Sequence, residues 1–495
     1  MIKVGFITNY FIFLFSKSKQ PPIRTLKKTV RWVIGIILGI YIGTIILLNI
    51  PYIQRNMTTF VTKELSRTLG TELTIGKIDI GLLNRIIIDD VLLDDQSGKE
   101  MLKITRLSAK FDIIPLFNGK ITISSVQLFG FNINLNKPAP HMEPNFKFVL
   151  DAFASKDTVK TKKDIDLRIN SILIRRGKLS YDVLSEEETP GKFNPQHIKL
   201  HNIIANISLK ALQNDSVNAA IKRLSVDEQS GFELRKLSLK VIANNKGMKI
   251  ENFAIEMPGT EMKMDTIRME YDSLKALNHF ADNVRFSFRT LPSHVTLNDI
   301  SAFVPALSNF KEKLDLNIDV EGTLNQLNCR TLEINAGDKF RLKGDVSLQD
   351  LSRPQDAYVY GHLANLSANK EGIGFLVRNL SPHYNGVPPV LQHLGNTSFH
   401  GEISGYFTDL VMYGLFRTDI GSVQTDLKLS SDKAKALFSY SGGVKTTDFE
   451  LGQLLGNKQL GKITFNLDVR GNHYKSQYPS ITLKGLIASL EYSNY

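Results

Sequence analysis

Residues 314–322 read LDLNIDVEG. Leu314, Leu316, Ile318 and Val320 fall on one side of an extended chain, and Asp315, Asn317, Asp319 and Glu321 fall on the other. Such a period of two marks a strand with one apolar and one wet face. The alternation recurs at KFRLKGDVSL (339–348), with Phe340, Leu342, Val346 and Leu348 on the apolar side. It recurs at KITFNLDVRG (462–471), with Ile463, Phe465, Leu467 and Val469. In FGFNINLN (129–136) it sets Phe129, Phe131, Ile133 and Leu135 against Gly130, Asn132, Asn134 and Asn136. Further runs cover 107–113, 284–288, 399–405 and 423–429. Strands with one solvated face normally pair antiparallel.

The pattern fills nearly all of 71–495, with no linker that separates domains. Stacked sandwiches would show a break about every 100 residues. The continuity instead predicts a mainly β fold, an elongated antiparallel sheet curved into an apolar, taco-like groove, because a wide sheet must cover its apolar face. Some 25–30 strands at about 4.8 Å each would give a length of roughly 120–140 Å.

Toward the N-terminus the period changes. In PYIQRNMTTFVTKELSRTLG (51–70), Ile53, Met57, Phe60, Val61, Leu65 and Leu69 recur at spacings of three to four. This predicts an amphipathic helix ended by Gly70. Before it, VRWVIGIILGIYIGTIILLNI (30–50) carries one charge, Arg31. It is long enough to cross a hydrocarbon core of about 30 Å. Pro51-Tyr52 follows instead of a small-residue cleavage site, so the segment reads as a retained transmembrane anchor. Gly35, Gly39 and Gly43 form a stripe on which a second helix could pack closely, although Gly is also simply common in membrane helices.

Lys and Arg number 61 against 49 Asp and Glu, a net charge of +12. Lys3, Lys17, Lys19, Arg24, Lys27 and Lys28 lie ahead of the span and Arg31 at its very start, with no acid among them. The basicity is therefore a feature of membrane topology rather than of nucleic-acid binding. It predicts residues 1–29 in the cytoplasm and 71–495 exported. The apolar run Val4–Phe15 is too short to span; it either lies in the interface or precedes the true start.

Helical interruptions are expected at 145–154, 297–307, 372–380 and 389–394, and polar loops at 156–163 and 185–196. The single Cys329 leaves no disulfide framework and no cysteine-based zinc or iron–sulfur site. No GxGxxG, GxxxxGK[ST], HExxH or GxSxG occurs. His197 and His201 stand four apart in HIKLH, but no Asp, Glu or Cys nearby in the sequence completes a ligand set, so both read as surface histidines. No catalytic residue, metal or cofactor is expected, and the chain reads as a non-enzyme.

Leu73–Leu135, beginning LTIGKIDIGLLNRIIIDDVLLDD, resembles the N-terminal region of the AsmA-like superfamily. As is usual there, it follows a membrane helix and an amphipathic helix ending in a Leu-Gly pair. Asn145-Phe146 with the helix after it, and DFELGQLLGNKQLGKITFNLDVRG (448–471), are similar to segments of the TamB branch, the translocation and assembly module proteins. The resemblance rests on the order and spacing of these segments and covers nearly the whole chain. It implies an inner-membrane-anchored periplasmic β-groove of a kind thought to carry phospholipid between membranes. It also implies a longer chain whose C-terminal β domain meets an outer-membrane Omp85-type protein. This sequence stops inside a strand pattern at Ser489–Tyr495, so a fragment or truncated product is expected.

Three readings follow. In a lipid conduit, phospholipid acyl chains would lie on Phe111, Ile133, Leu135, Ile318, Val320, Leu342, Val346, Phe465 and Leu467, each buried CH₂ contributing about 0.8 kcal/mol. In an assembly factor for outer-membrane or secreted proteins, an open sheet edge would pair with a client strand. In a structural envelope tether, the apolar face would simply be a core. Groove and core positions obey the same alternation, so sequence leaves the three open.

Overall fold

The computed structural model describes residues 23–81, 84–112, 121–153, 165–166, 170–213, 216–353, 355–380, 386–432, 437–474 and 480–493. Val4–Phe15, the basic residues Lys3, Lys17 and Lys19, and the expected loop at 156–163 lie outside them.

Helix α1 (Ile23–Leu48) contains a span, Lys28–Leu48, long and apolar enough to cross a membrane. Pro51 then opens α2 (Pro51–Leu69), where its missing amide costs nothing. Gly70 closes α2 at φ +68°, its amide donating to the Ser66 carbonyl, as the spacing predicts. Asn49, between the helices, donates from Nδ2 to the Ile80 carbonyl at 2.7 Å. The buried Gln54 donates to Asn49 Oδ1 at 3.0 Å and to Asp79. This network ties α1 to the first strand.

Strands β1 (Leu73–Gly81), β2 (Arg85–Asp94), β3 (Glu100–Phe111) and β4 (Ile121–Lys137) pair antiparallel in order. After α3 (Lys147–Phe153) and the two-residue β5 (Ile165–Asp166), β6 (Ser171–Val183) pairs parallel with β4. This departs from the expected all-antiparallel sheet. The long connection 138–170 carries the chain back to the edge where β4 began, which a tight hairpin cannot do.

A meander then runs through β7 (His197–Gln213), β8 (Ser216–Glu228), β9 (Glu233–Ala243) and β10 (Gly247–Glu256). Two broken strands follow. The first is β11 (Glu261–Met264) with β12 (Ile267–Glu270); the second is β13 (Arg285–Arg289) with β14 (Ser293–Val295). Regular hairpins return with β15 (Leu314–Thr323), β16 (Gln326–Ala336), β17 (Phe340–Gln349), β18 (Tyr358–Ala368) and β19 (Thr397–Tyr406). They continue through β20 (Asp409–Thr418), β21 (Gly421–Asp432), β22 (Leu437–Glu450), β23 (Leu460–Tyr474) and β24 (Ser480–Tyr492).

The result is one elongated, mainly antiparallel sheet. With each broken strand taken as one position, it is about 100 Å long at about 4.8 Å per position, shorter than expected.

Apart from the parallel β4–β6 pair, strand direction alternates, so every second connection falls on the same long edge. That edge carries α3, the 184–196 loop, α5 (Lys370–Leu380), α6 (Pro389–Gln392) and α7 (Leu451–Leu455). It also carries 3₁₀ turns at Leu297–Ile300 and Pro305–Leu307, where one helix was expected. Pro305 cannot continue the hydrogen bonding of the first turn. The fourth short helix, α4 (Phe280–Asn283), lies on the opposite edge. Insertions on the first edge touch in succession. Phe193 and Phe232 pack on Phe303 with ring centres 4.8 and 4.9 Å apart, and Phe310 packs on Phe375 at 6.0 Å. Further along, His393 Nδ1 lies 2.9 Å from the Leu454 carbonyl. They form a continuous rim.

Candidate functional site

One face of the sheet is apolar from end to end. A row of directly opposed residues runs Ile78, Ile88, Leu107, Leu128, Ile174, Ala205, Leu224, Leu237, Ile255 and Met262. In the second half, Val320, Cys329, Val346, Gly361, Ile403, Met412, Leu427, Gly442, Val469 and Leu483 form another. Both rows hold because the apolar parity of each strand meets that of its neighbour.

Strict alternation is broken once near the middle of most strands, always in the same way. Two outward residues stand between two inward ones: Ile75-Gly-Lys-Ile78, Ile88-Asp-Asp-Val91, Ile104-Thr-Arg-Leu107, Leu128-Phe-Gly-Phe131, and so on to Ile250-Glu-Asn-Phe253. The second residue of the pair is left-handed at Asp90, Gly130, Arg176, Asn202 and Asn252, with φ between +53° and +61°. From β1 to β6 these breaks face one another and the register runs through them unshifted, whereas from β7 to β10 they are staggered and each leaves an extra residue, a bulge. Each break turns its strand locally, so together they crease the sheet across β1 to β10. This corrects the reading of 129–136. Phe129 points outward, opposite Arg106 and Arg175, and only Phe131, Ile133 and Leu135 point inward.

The nine residues expected to line a groove all lie on this face, but in two settings. Ile133 and Leu135 belong to a core formed where Met57, Val61 and Leu65 of α2 cover Leu73, Ile75 and Ile78. Leu342 packs in the core under α5, with Phe340, Ile373 and Phe375. Phe465 belongs to the core beside α7, with Leu394, Phe449 and Ile463. Those four are cap residues. Phe111, Ile318, Val320, Val346 and Leu467 lie away from these cores; Val320 is buried and the other four are half-buried. The inner face is thus closed at the α2 end and under the rim, and among the described residues carries no helical insertion along its middle. At the other end, β24 is exposed along all thirteen residues, Ile481, Leu483 and Ile487 included. Gly35, Gly39 and Gly43 lie on α1, where an added Cβ would meet nothing within 4 Å.

The outer face is a ladder of cross-strand ion pairs, among them Arg106–Asp89 (2.6 Å), Arg289–Asp319 (2.7 Å), Lys343–Glu333 (2.7 Å) and Lys428–Asp409 (2.8 Å). Exposed pairs contribute little each, about 0.2–1 kcal/mol. Opposed charges do however fix register and keep this face in water. Hydrogen bonds from Lys240 and then Lys249 hold Glu251 down at about 2. On the inner face, burial pushes the Cys329 thiol up, and it donates to the Thr331 carbonyl. That chemistry is inert packing rather than a nucleophile.

His201 is exposed, as expected, but His197 is 5% exposed. Its Nδ1 lies 3.0 Å from Asp182 Oδ1 and its Nε2 3.0 Å from the Glu186 carbonyl. The hydrogen bond to Asp182 leads in pushing its pKa up. Sequence reasoning missed this setting because Asp182 is brought opposite His197 only by the β6–β7 register. No known family model, curated protein or solved structure matches the chain.

Proposed function

We propose that the chain is a membrane-anchored lipid-transfer conduit of the AsmA-like, TamB type. It would be set in an inner membrane by α1, with the sheet in the periplasm passing phospholipid toward an outer membrane. The observation that carries the reading is the middle of the apolar face. There, continuous apolar rows cross strand after strand, yet Ile318, Val346 and Leu467 remain only half-buried. A sheet that used this face solely as core would bury these positions as it buries Phe340 and Phe399. Alkyl chains resting there would shed water at about 0.8 kcal/mol per CH₂. Headgroups would stay at the open seam. Contacts that are apolar and repeated every strand favour no single position, so a lipid can slide.

The test places a photo-crosslinking residue at Val346 or Leu467, facing in, and at Lys343 or Asp468, facing out, in the full chain in its membrane. Mass spectrometry should find phospholipid adducts at the inner positions alone. Equal yields on both faces, or none within, would defeat the proposal. Leu342 is a poor probe, because a charge there breaks the core under α5.

A second reading, an assembly factor that pairs with client strands, would use an open sheet edge. It requires protein crosslinks concentrated at Thr482 to Leu490 rather than at the inner face.

A further inference from the structure

We infer that Asp182, Glu188 and His197 form a binding site for one divalent transition-metal ion of the zinc class, on the rim where β6 turns into β7. One donor atom from each residue lies within 4.8 Å of the others. The three come from three places: the end of β6, the loop that follows, and the first residue of β7.

The imidazole supplies the second, independent observation. Both ring nitrogens face acceptors, the Asp182 carboxylate on Nδ1 and the Glu186 carbonyl on Nε2. A neutral ring has one N–H to offer. The buried ring therefore needs positive charge between Nδ1 and Asp182, supplied either by a second proton or by a metal ion, and the third donor, Glu188, is what favours the metal. If Nε2–H donates to the Glu186 carbonyl, the tautomer is set and the Nδ1 lone pair points at the carboxylate. Ring orientation by a backbone carbonyl is the usual outer support of a metal-bound histidine.

The spacing is close. Two ligands at about 2.0–2.2 Å from a tetrahedral ion stand about 3.3–3.6 Å apart, so the 3.0 Å between Nδ1 and Oδ1 would have to open by a few tenths of an ångström. Glu188 is the third ligand, and it is not needed if a proton alone joins the other two. Its carboxylate now lies 3.1 Å from the ammonium of Lys199, a side chain free to swing into water. One nitrogen and two carboxylate donors, with no thiolate, suit zinc among the available ions, and water would complete the tetrahedron. Such an ion would pin the 184–196 loop to its strands and so hold Phe193 against Phe303. The site owes nothing to the lipid reading and stands or falls apart from it.

The test uses the full chain in detergent, stripped with a chelator and titrated calorimetrically with zinc chloride. Cobalt(II) serves as a visible-spectrum probe. One ion per chain is expected. Asp182→Asn, Glu188→Gln and His197→Gln should each weaken binding by more than the roughly 10–100-fold that loss of an outer-shell partner costs. His201→Gln should change nothing, and zinc should slow proteolysis at Lys192. Wild type that takes up no stoichiometric zinc would overturn the proposal. So would binding unchanged in Glu188→Gln; the ring would then be held by a second proton. Glu188 is exposed, so that variant keeps the test sound if His197→Gln fails to fold.

Discussion

Replacing Gly130 by Val tests whether left-handed bends crease the sheet. Gly130 has φ +61°, and a Cβ there would stand 2.7 Å from Thr105 Oγ1 and 3.1 Å from Thr105 Cβ. The Thr105 hydroxyl donates to the Gly130 carbonyl at 3.0 Å, so it cannot move aside without losing that bond. A side chain in the left-handed region costs about 1–2 kcal/mol, and crowding adds about 1–3 kcal/mol, for a loss of about 2–5 kcal/mol in all. The companion is Arg176→Gly, at φ +55° on the neighbouring strand β6. It removes a similar left-handed penalty and takes on about 0.5–1 kcal/mol of backbone entropy, a net gain of up to about 1.5 kcal/mol. Hydrogen exchange of the full chain, read by mass spectrometry over β3, β4 and β6, measures both. Local opening should become about 30-fold more frequent or more in Gly130→Val, and slightly less frequent in Arg176→Gly. Unchanged exchange in the first variant, or equal damage in both, would refute the reasoning.

Two further outcomes are expected. Phe399, 3% exposed, reaches its ring tip over Gly401 and Gly414, 2.9 and 2.8 Å from where their Cβ atoms would be. Phe399→Ala should cost about 3–5 kcal/mol, read as faster exchange in β18 to β20. Glu251, held at about 2 by Lys240 and Lys249 against an ordinary 4.5, is depressed in the folded chain. Its contribution is therefore complete above about pH 4.5 and lost as pH falls through about 2. Lys240→Met should raise the Glu251 midpoint in an NMR titration, and an unmoved midpoint would show that the pair does not hold it.

Much of the fold is legible locally. The span ahead of Pro51, the cap at Gly70 and the apolar side of β15, β17 and β23 follow from hydropathy at periods of 3.6 and two, which each segment carries within itself. The paired outward residues of the crease are also written in the chain, as Asp89-Asp90 or Lys222-Arg223. A strict period of two reads straight through them, and so turned Phe129 to the wrong face. Whether such a pair faces another across the ladder, as at Phe129-Gly130, or stands as an unopposed bulge depends on the neighbouring strand.

The remainder belongs to tertiary structure. Sequence alone determined a β chain with one apolar face, preceded by a helix long and apolar enough to cross a membrane. That information is a property of consecutive residues. It did not determine that Ile133 and Leu342 are cap residues while Val346 and Leu467 face an uncovered middle, since all four obey the same alternation. Nor did it set Asp182 and Glu188 beside His197, or turn β6 parallel to β4. Those outcomes depend on register and on which edge each insertion reaches. Pairing between distant segments decides both, and no window along the chain contains it.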